Sequence, residues 1–156
     1  MGCLGIDIGG VIIQKEKHAS DTSFFSDNFL NTPAVEIAFA TIGQLCAQRY
    51  GQEIYLVSKC GPKIEAKTNQ WLNHTGFYAA TGVLPNNVHF CRERSDKAPI
   101  CAALGVDCFI DDRTDVLRAL DSVKTRLLFG AQHEASSPLK TVKDWHEVRD
   151  LLLPSA

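Results

Sequence analysis

Five short apolar runs, each separated from the next by enough residues for a helix, constrain this chain more than any other feature. They are Leu4–Gly9, Glu53–Ser58, Val88–Cys91, Asp107–Ile110 and Arg126–Phe129. Short runs of this kind, bounded by turn residues, read as strands buried on both faces. Between them the apolar residues fall at helical spacing. Pro33 suits the first turn of one helix, whose apolar positions are Ala34, Val35, Ile37, Ala38, Ile42, Leu45 and Cys46, with Gly51 as its stop. Ile64–Asn73 reads as a second helix. Ser95 or Asp96 caps a third that runs through Leu104 to a closing Gly105. Thr114–Leu120 reads as a fourth, and Val142–Leu152 as a closing amphipathic helix. Strands alternating with helices require right-handed crossovers, which place helices on both faces of a parallel sheet. The expected fold is therefore an α/β three-layer sandwich on a five-stranded parallel sheet.

With 156 residues, the chain is expected to form a single domain over 1–156, with no internal repeat or linker. A chain of this length buries roughly 68–70% of its unfolded surface, so its core needs no disulfides. Sixteen Lys and Arg against eighteen Asp and Glu give a net charge of −2. No basic excess is present to neutralise a phosphate backbone, which argues against a nucleic-acid partner. No apolar run approaches the ~20 residues of a membrane span, so no membrane partner is expected. Residues Met1 to Asp7 lack the basic start of a signal peptide, and Ile6 stands where a myristoylation signal needs Ser or Thr. The six cysteines, at 3, 46, 60, 91, 101 and 108, form no C-x-x-C pair. Reduced thiols and a cytoplasmic location are the expectation, with Cys3, Cys46 and Cys108 packing as small hydrophobes. Residues 14–32 are polar apart from Phe24, Phe25, Phe29 and Leu30, and are too long for a structureless connection. They read as a small flap or loop insertion, with the phenylalanines as a satellite core.

In parallel sheets, ligands bind beyond the carboxyl ends of the strands. The polar residues at those ends are Asp7, Ser58 and the pair Asp111-Asp112, and Lys97 opens the helix before the fourth strand. Carboxylates gathered in one crevice repel unless a cation lies between them, and a few oxygen ligands with water suit Mg²⁺. A phosphate oxygen would complete that shell. Ser58 could bond another phosphate oxygen, Lys97 could offset charge on the group in transfer, and Asp7 could attack phosphorus. The five histidines and the two tryptophans show no ligand spacing and read as surface or packing residues. Lys59 and Lys63 flank Ser58, and Arg113 is expected to orient or pair with the acids.

The elements Asp7-Ile8-Gly9-Gly10-Val11, Val57-Ser58, Lys97 and Ile110-Asp111-Asp112 follow one another along the chain. In that order they resemble the four motifs of haloacid dehalogenase-like (HAD) hydrolases. The likeness spans almost the whole chain, and the stretch from Lys97-Ala98-Pro99-Ile100 to Arg113 most resembles nucleotidase-like members. The resemblance implies a Rossmann-like sheet, Mg²⁺ and hydrolysis of a phosphate monoester through an aspartyl phosphate on Asp7. It further implies catalytic roles for Asp7, Ser58 and Lys97, substrate contacts from Gly10, Ser58, Lys59 and Lys97, and a metal site of Asp7, the Gly9 carbonyl, Asp111 and Asp112. Gly9 departs from the family pattern, which places a second Asp there as general acid/base. A non-catalytic HAD-like domain that binds metal or phosphate is the alternative this departure raises. The spacing between motifs leaves no room for a large cap, so the site should be open, minimally covered, or roofed by another subunit in a homo-oligomer. A sugar-kinase reading of Gly5–Val11 fails on length, since such enzymes need two domains. A receiver reading fails because its acidic pair should follow the first strand.

Overall fold

The computed structural model describes residues 2–15, 24, 26–130 and 135–154. Its strands are β1 (Leu4–Ile6), β2 (Ile54–Lys59), β3 (Val88–Cys91), β4 (Cys108–Asp111), β5 (Thr125–Phe129) and β6 (Leu139–Val142). Its helices are α1 (Ala38–Leu45), α2 (Pro62–His74), α3 (Phe77–Thr81), α4 (Lys97–Leu104), α5 (Thr114–Arg118) and α6 (Trp145–Leu152). All neighbouring strands pair in parallel, in the order β3-β2-β1-β4-β5-β6. The architecture is the Rossmann-like α/β sandwich expected, with β1 and β4 central.

The structure departs from the sequence expectation in four places: β1 stops at Ile6 and not at Gly9, the short α3 adds an unexpected helix after α2, and the sheet and the first helix also differ. The sheet has six strands instead of five, because Leu139–Val142 pairs along β5, and Val142, expected to open the closing helix, ends this strand instead. That helix begins at Trp145, where the Asp144 side chain accepts from the Glu147 amide at 3.0 Å and Glu147 accepts from the Lys143 amide at 2.7 Å. This reciprocal cap sets the start. The first helix begins at Ala38 and not at Pro33. Residues 33–35 are instead drawn to the segment after β1: Gln14 donates to the Pro33 carbonyl at 3.0 Å and Val35 to that of Ile12 at 2.7 Å.

Side-chain alternation along the strands divides the interior in two. Leu4, Ile6, Leu56, Ile110 and Leu127 face α1, α2, α3 and α6, against Ile42, Trp71, Phe77 and Trp145. Val57, Phe109 and Leu128 face the other way, against Cys101 of α4 and Leu117 of α5. Gly5 lies on this second face. A Cβ there would stand 2.4 Å from the Phe109 ring, so the ring occupies the space a side chain on β1 would take.

The cysteines are free thiols, with Cys3 and Cys108 buried as expected and Cys46 half-buried. No described helix is long and apolar enough to cross a membrane. Of the segment 14–32, residues 16–23 and 25 lie outside the described residues. Phe24 and Phe29 meet edge to face at 5.7 Å, and Phe24 and Leu30 pack against the main core, so the described aromatic residues extend that core instead of forming the separate satellite expected. Gly5→Ala should destabilise the fold by about 1–3 kcal/mol, the usual result of overpacking a filled core. Chemical denaturation measures it, and an unchanged midpoint would show that Phe109 can shift freely.

Candidate active site

The register of β1 on β4 pairs Ile6 with Ile110, so Asp7 and Asp111 come next to each other at the strand ends. The Asp7 amide continues the ladder by donating to the Ile110 carbonyl at 2.9 Å. Both residues have the parity of Gly5 and Phe109, which turns their side chains toward α4. The first residue of α4 is Lys97. Its ammonium lies 3.1 Å from Asp7 Oδ1 and 2.9 Å from Asp111 Oδ2, and 5.6 Å from the centre of the Phe109 ring. The side chains of Lys97 and Asp111 are 3% and 0% exposed. The turn before α4 is held by a capping box between Glu93 and Asp96, which sets where the helix, and with it Lys97, begins.

Asp111 is engaged at both oxygens. Oδ2 takes the Lys97 ammonium, and Oδ1 accepts from the Arg113 amide at 3.0 Å. The Arg113 guanidinium points elsewhere and pairs with Asp115 at 3.1 and 3.2 Å. The expected orienting role of Arg113 thus falls to its backbone. Asp112 is more open, at 17% side-chain exposure, and meets the exposed Lys15 ammonium at 3.1 Å.

Asp7, Asp111 and Asp112 each offer one oxygen, and the three lie within 4.8 Å of one another. With all three carboxylates ionised, the buried Lys97 and the exposed Lys15 still leave an excess of one negative charge. All donors are oxygen, so the group fits a hard divalent cation both in charge and in ligand type. Burial pushes the Asp7 carboxyl up to about 8; Asp111 and Asp112 add to the rise, and Lys97 opposes it. Burial likewise raises Asp111 against the pull of Lys97. Lys97 itself is depressed by burial, but the two facing carboxylates outweigh this and hold it above the usual lysine value.

Ser58 is the penultimate residue of β2, buried, one register step further along than Asp7. Lys59 and Lys63 are exposed. Gly9 and Gly10 belong to a tight loop in which the amides of Val11, Ile12 and Ile13 all donate to the Ile8 carbonyl, at 3.2, 2.9 and 3.1 Å. The indole of Trp145 fastens this loop from below by donating to the Val11 carbonyl at 2.8 Å. Gly10 is required twice over. Its φ is +83°, and a Cβ there would stand 2.4 Å from Asp112 Oδ2. A Cβ at Gly9, by contrast, would meet nothing within 4 Å.

The geometry thus brings Asp7, Lys97, Asp111 and Asp112 together, with Ser58, Gly9 and Gly10 at the adjoining strand ends. His74, His89 and His146 take no part in the cluster, and His18 and His133 lie outside the described residues. Lys15 is a contact that sequence reasoning missed. It stands in a polar, aperiodic stretch, and only the fold of the loop carries it to an acid 97 positions away.

No family model matches this chain. It is 27% identical, over 137 residues, to a protein of Oceanobacillus iheyensis that bears the name "putative nucleotidase"; the match covers 86% of this chain and 69% of that protein. This likeness supports a nucleotidase- or phosphatase-like hydrolase, which agrees with an acid cluster suited to a metal.

Because Asp7 titrates above its ordinary value in the fold, the native state holds a proton that the unfolded chain releases near 3.8. Native proton uptake of this sign makes metal-free stability fall as pH rises from about 4 to about 8. Lys97→Met should steepen that fall, because it leaves two buried carboxylates without a counter-charge. The loss should reach about 3–5 kcal/mol at the alkaline end and shrink toward pH 5. Denaturation curves at the two pH values measure this; a loss independent of pH would show that Lys97 does not neutralise the acids.

Proposed function

We propose that this chain is a Mg²⁺-dependent phosphatase of the HAD type that hydrolyses a small phosphate monoester through an aspartyl phosphate on Asp7. The observation that carries this reading is the buried Lys97 held between Asp7 and Asp111. A lysine in that position can turn from a carboxylate to a phosphate oxygen without leaving its place in the core. The nucleotidase name borne by the Oceanobacillus relative supports a phosphorylated small molecule as substrate, and makes nucleoside monophosphates part of any panel.

In this reading Asp7, the Gly9 carbonyl and Asp112 hold the cation. Asp111, with both oxygens engaged, serves chiefly to position Lys97. The bound Mg²⁺ supplies charge neutralisation that lets a carboxylate approach an anionic phosphoryl group. Lys97 and Ser58 hold phosphate oxygens, with Gly10 and Lys59 beside them. Asp7 attacks phosphorus, the ester P–O bond breaks, and the leaving oxygen takes up a proton. Water then attacks phosphorus, which releases phosphate and restores the Asp7 carboxylate.

Gly9 determines where the first proton comes from. With no carboxyl at that position, the leaving oxygen takes its proton from water, so esters with good leaving groups are favoured. General acid catalysis contributes about 10²–10⁴-fold where it is present. The open space at the Gly9 Cβ position allows a side chain to be added there without collision. The same glycine is what favours the second reading, a non-catalytic domain that binds metal or phosphate.

A panel of phosphate monoesters with added Mg²⁺ tests the proposal. Hydrolysis should appear, vanish with a chelator and vanish in Asp7→Asn; turnover that survives in Asp7→Asn would overturn the nucleophile assignment. An inactive protein that still binds Mg²⁺ and phosphate would favour the second reading. In a separate expectation, Gly9→Asp should raise kcat for esters with poor leaving groups more than for 4-nitrophenyl phosphate. A uniform change across leaving groups would show that position 9 does not deliver a proton.

A further inference from the structure

On the β5 side of the carboxylate cluster lies a cleft of about 380 Å³. It is open to solvent, so it supports one side of an occupant instead of enclosing it. The cleft shares Asp112 with the cluster and is also lined by Gly10, so an occupant there adjoins the group that would hold the cation. Its remaining walls are unequal in character. Leu128 and Phe129 are apolar, Thr114 offers a hydroxyl, and Lys15 is the one cation among the described residues that line it.

We infer that this cleft takes the leaving group of the substrate, and that Lys15 selects esters whose leaving group carries a second anion. The inference rests on the phosphatase reading. Lys15 pairs with Asp112 at 3.1 Å, yet its side chain is 68% exposed. An ion pair so open to water is exchanged at little cost. Once the Asp112 charge is committed to a divalent cation, Lys15 has no other acid among its described contacts and remains at the cleft. A carboxylate or phosphate on the leaving group restores its counter-charge, while the apolar walls accommodate an organic body. An uncharged leaving group leaves Lys15 to solvent. Gly10 keeps the arrangement possible, since a Cβ there would stand 2.4 Å from Asp112 Oδ2.

Two pairs of probes test this with the whole chain. The first is 4-carboxyphenyl phosphate against 4-nitrophenyl phosphate, compared as a ratio of kcat/KM within each variant. That ratio should fall roughly tenfold or more in Lys15→Ala, the effect of one hydrogen bond to a charged group, and recover in Lys15→Arg. The second is a pair of uncleavable analogues, 4-carboxybenzylphosphonate and benzylphosphonate, titrated calorimetrically with Mg²⁺ present. The carboxylated analogue should bind tighter to the unaltered chain, and Lys15→Ala should erase the difference. Equal ratios in the unaltered chain and Lys15→Ala, by either measure, would overturn the role of Lys15, as would the failure of both phosphonates to bind. Should no ester turn over while the phosphonate preference holds and depends on Lys15, the phosphatase reading falls and the anion site stands.

Discussion

The site depends on one buried ammonium placed between two buried carboxylates. Lys97 is 3% exposed and Asp111 fully enclosed, so neither charge can be relieved by water. A lone ion so buried would cost several kcal/mol, and the arrangement is tolerable only because each charge has a close partner. The partnership remains incomplete. Three acids face one buried lysine and one exposed one, and burial keeps Asp7 raised despite the ion pair. Such a cluster is electrostatically unsatisfied by its own side chains, which is the physical basis for its fit to an external cation.

The rest of the fold serves that contact through strand parity. Gly5 leaves room for the Phe109 ring, the ring lies beneath the Lys97 ammonium, and the next residues of the same parity are Asp7 and Asp111. A shift of one residue between β1 and β4 would send these side chains to the opposite face. Core packing and site geometry are therefore one specification, imposed on the same few residues.

How far this could be read from the chain differs by residue. Asp7 and Asp111 were legible because each ends an apolar run, and the end of a buried strand is where a charge draws notice. Lys97 was legible only through its place ahead of β4, since nothing local separates a buried lysine from a solvated one. β6 was not legible: Leu139 and Val142 bracket Lys140 and Thr141 without alternation, and the strand exists through its pairing with β5. Pro33 suggested a helix start on local preference, but hydrogen bonds to Ile12 and Gln14 outweighed that preference. Lys15 and the cleft beside it arise from long-range folding of a polar segment, which carries no periodic signal.

The chain has only two tryptophans, and both indoles are tied to the stretch that follows β1. Trp145 donates to the Val11 carbonyl at 2.8 Å, and Trp71 to that of Thr32 at 2.9 Å; both rings are fully enclosed. Each also packs in the core, and the two bonds fasten the chain just after Gly10 and again at Thr32. The intrinsic emission of this protein is accordingly a local optical gauge of these two attachments. A change in its wavelength or intensity as ions or phosphorylated compounds are added reports on the two indole bonds, at Val11 and Thr32, without any label being introduced.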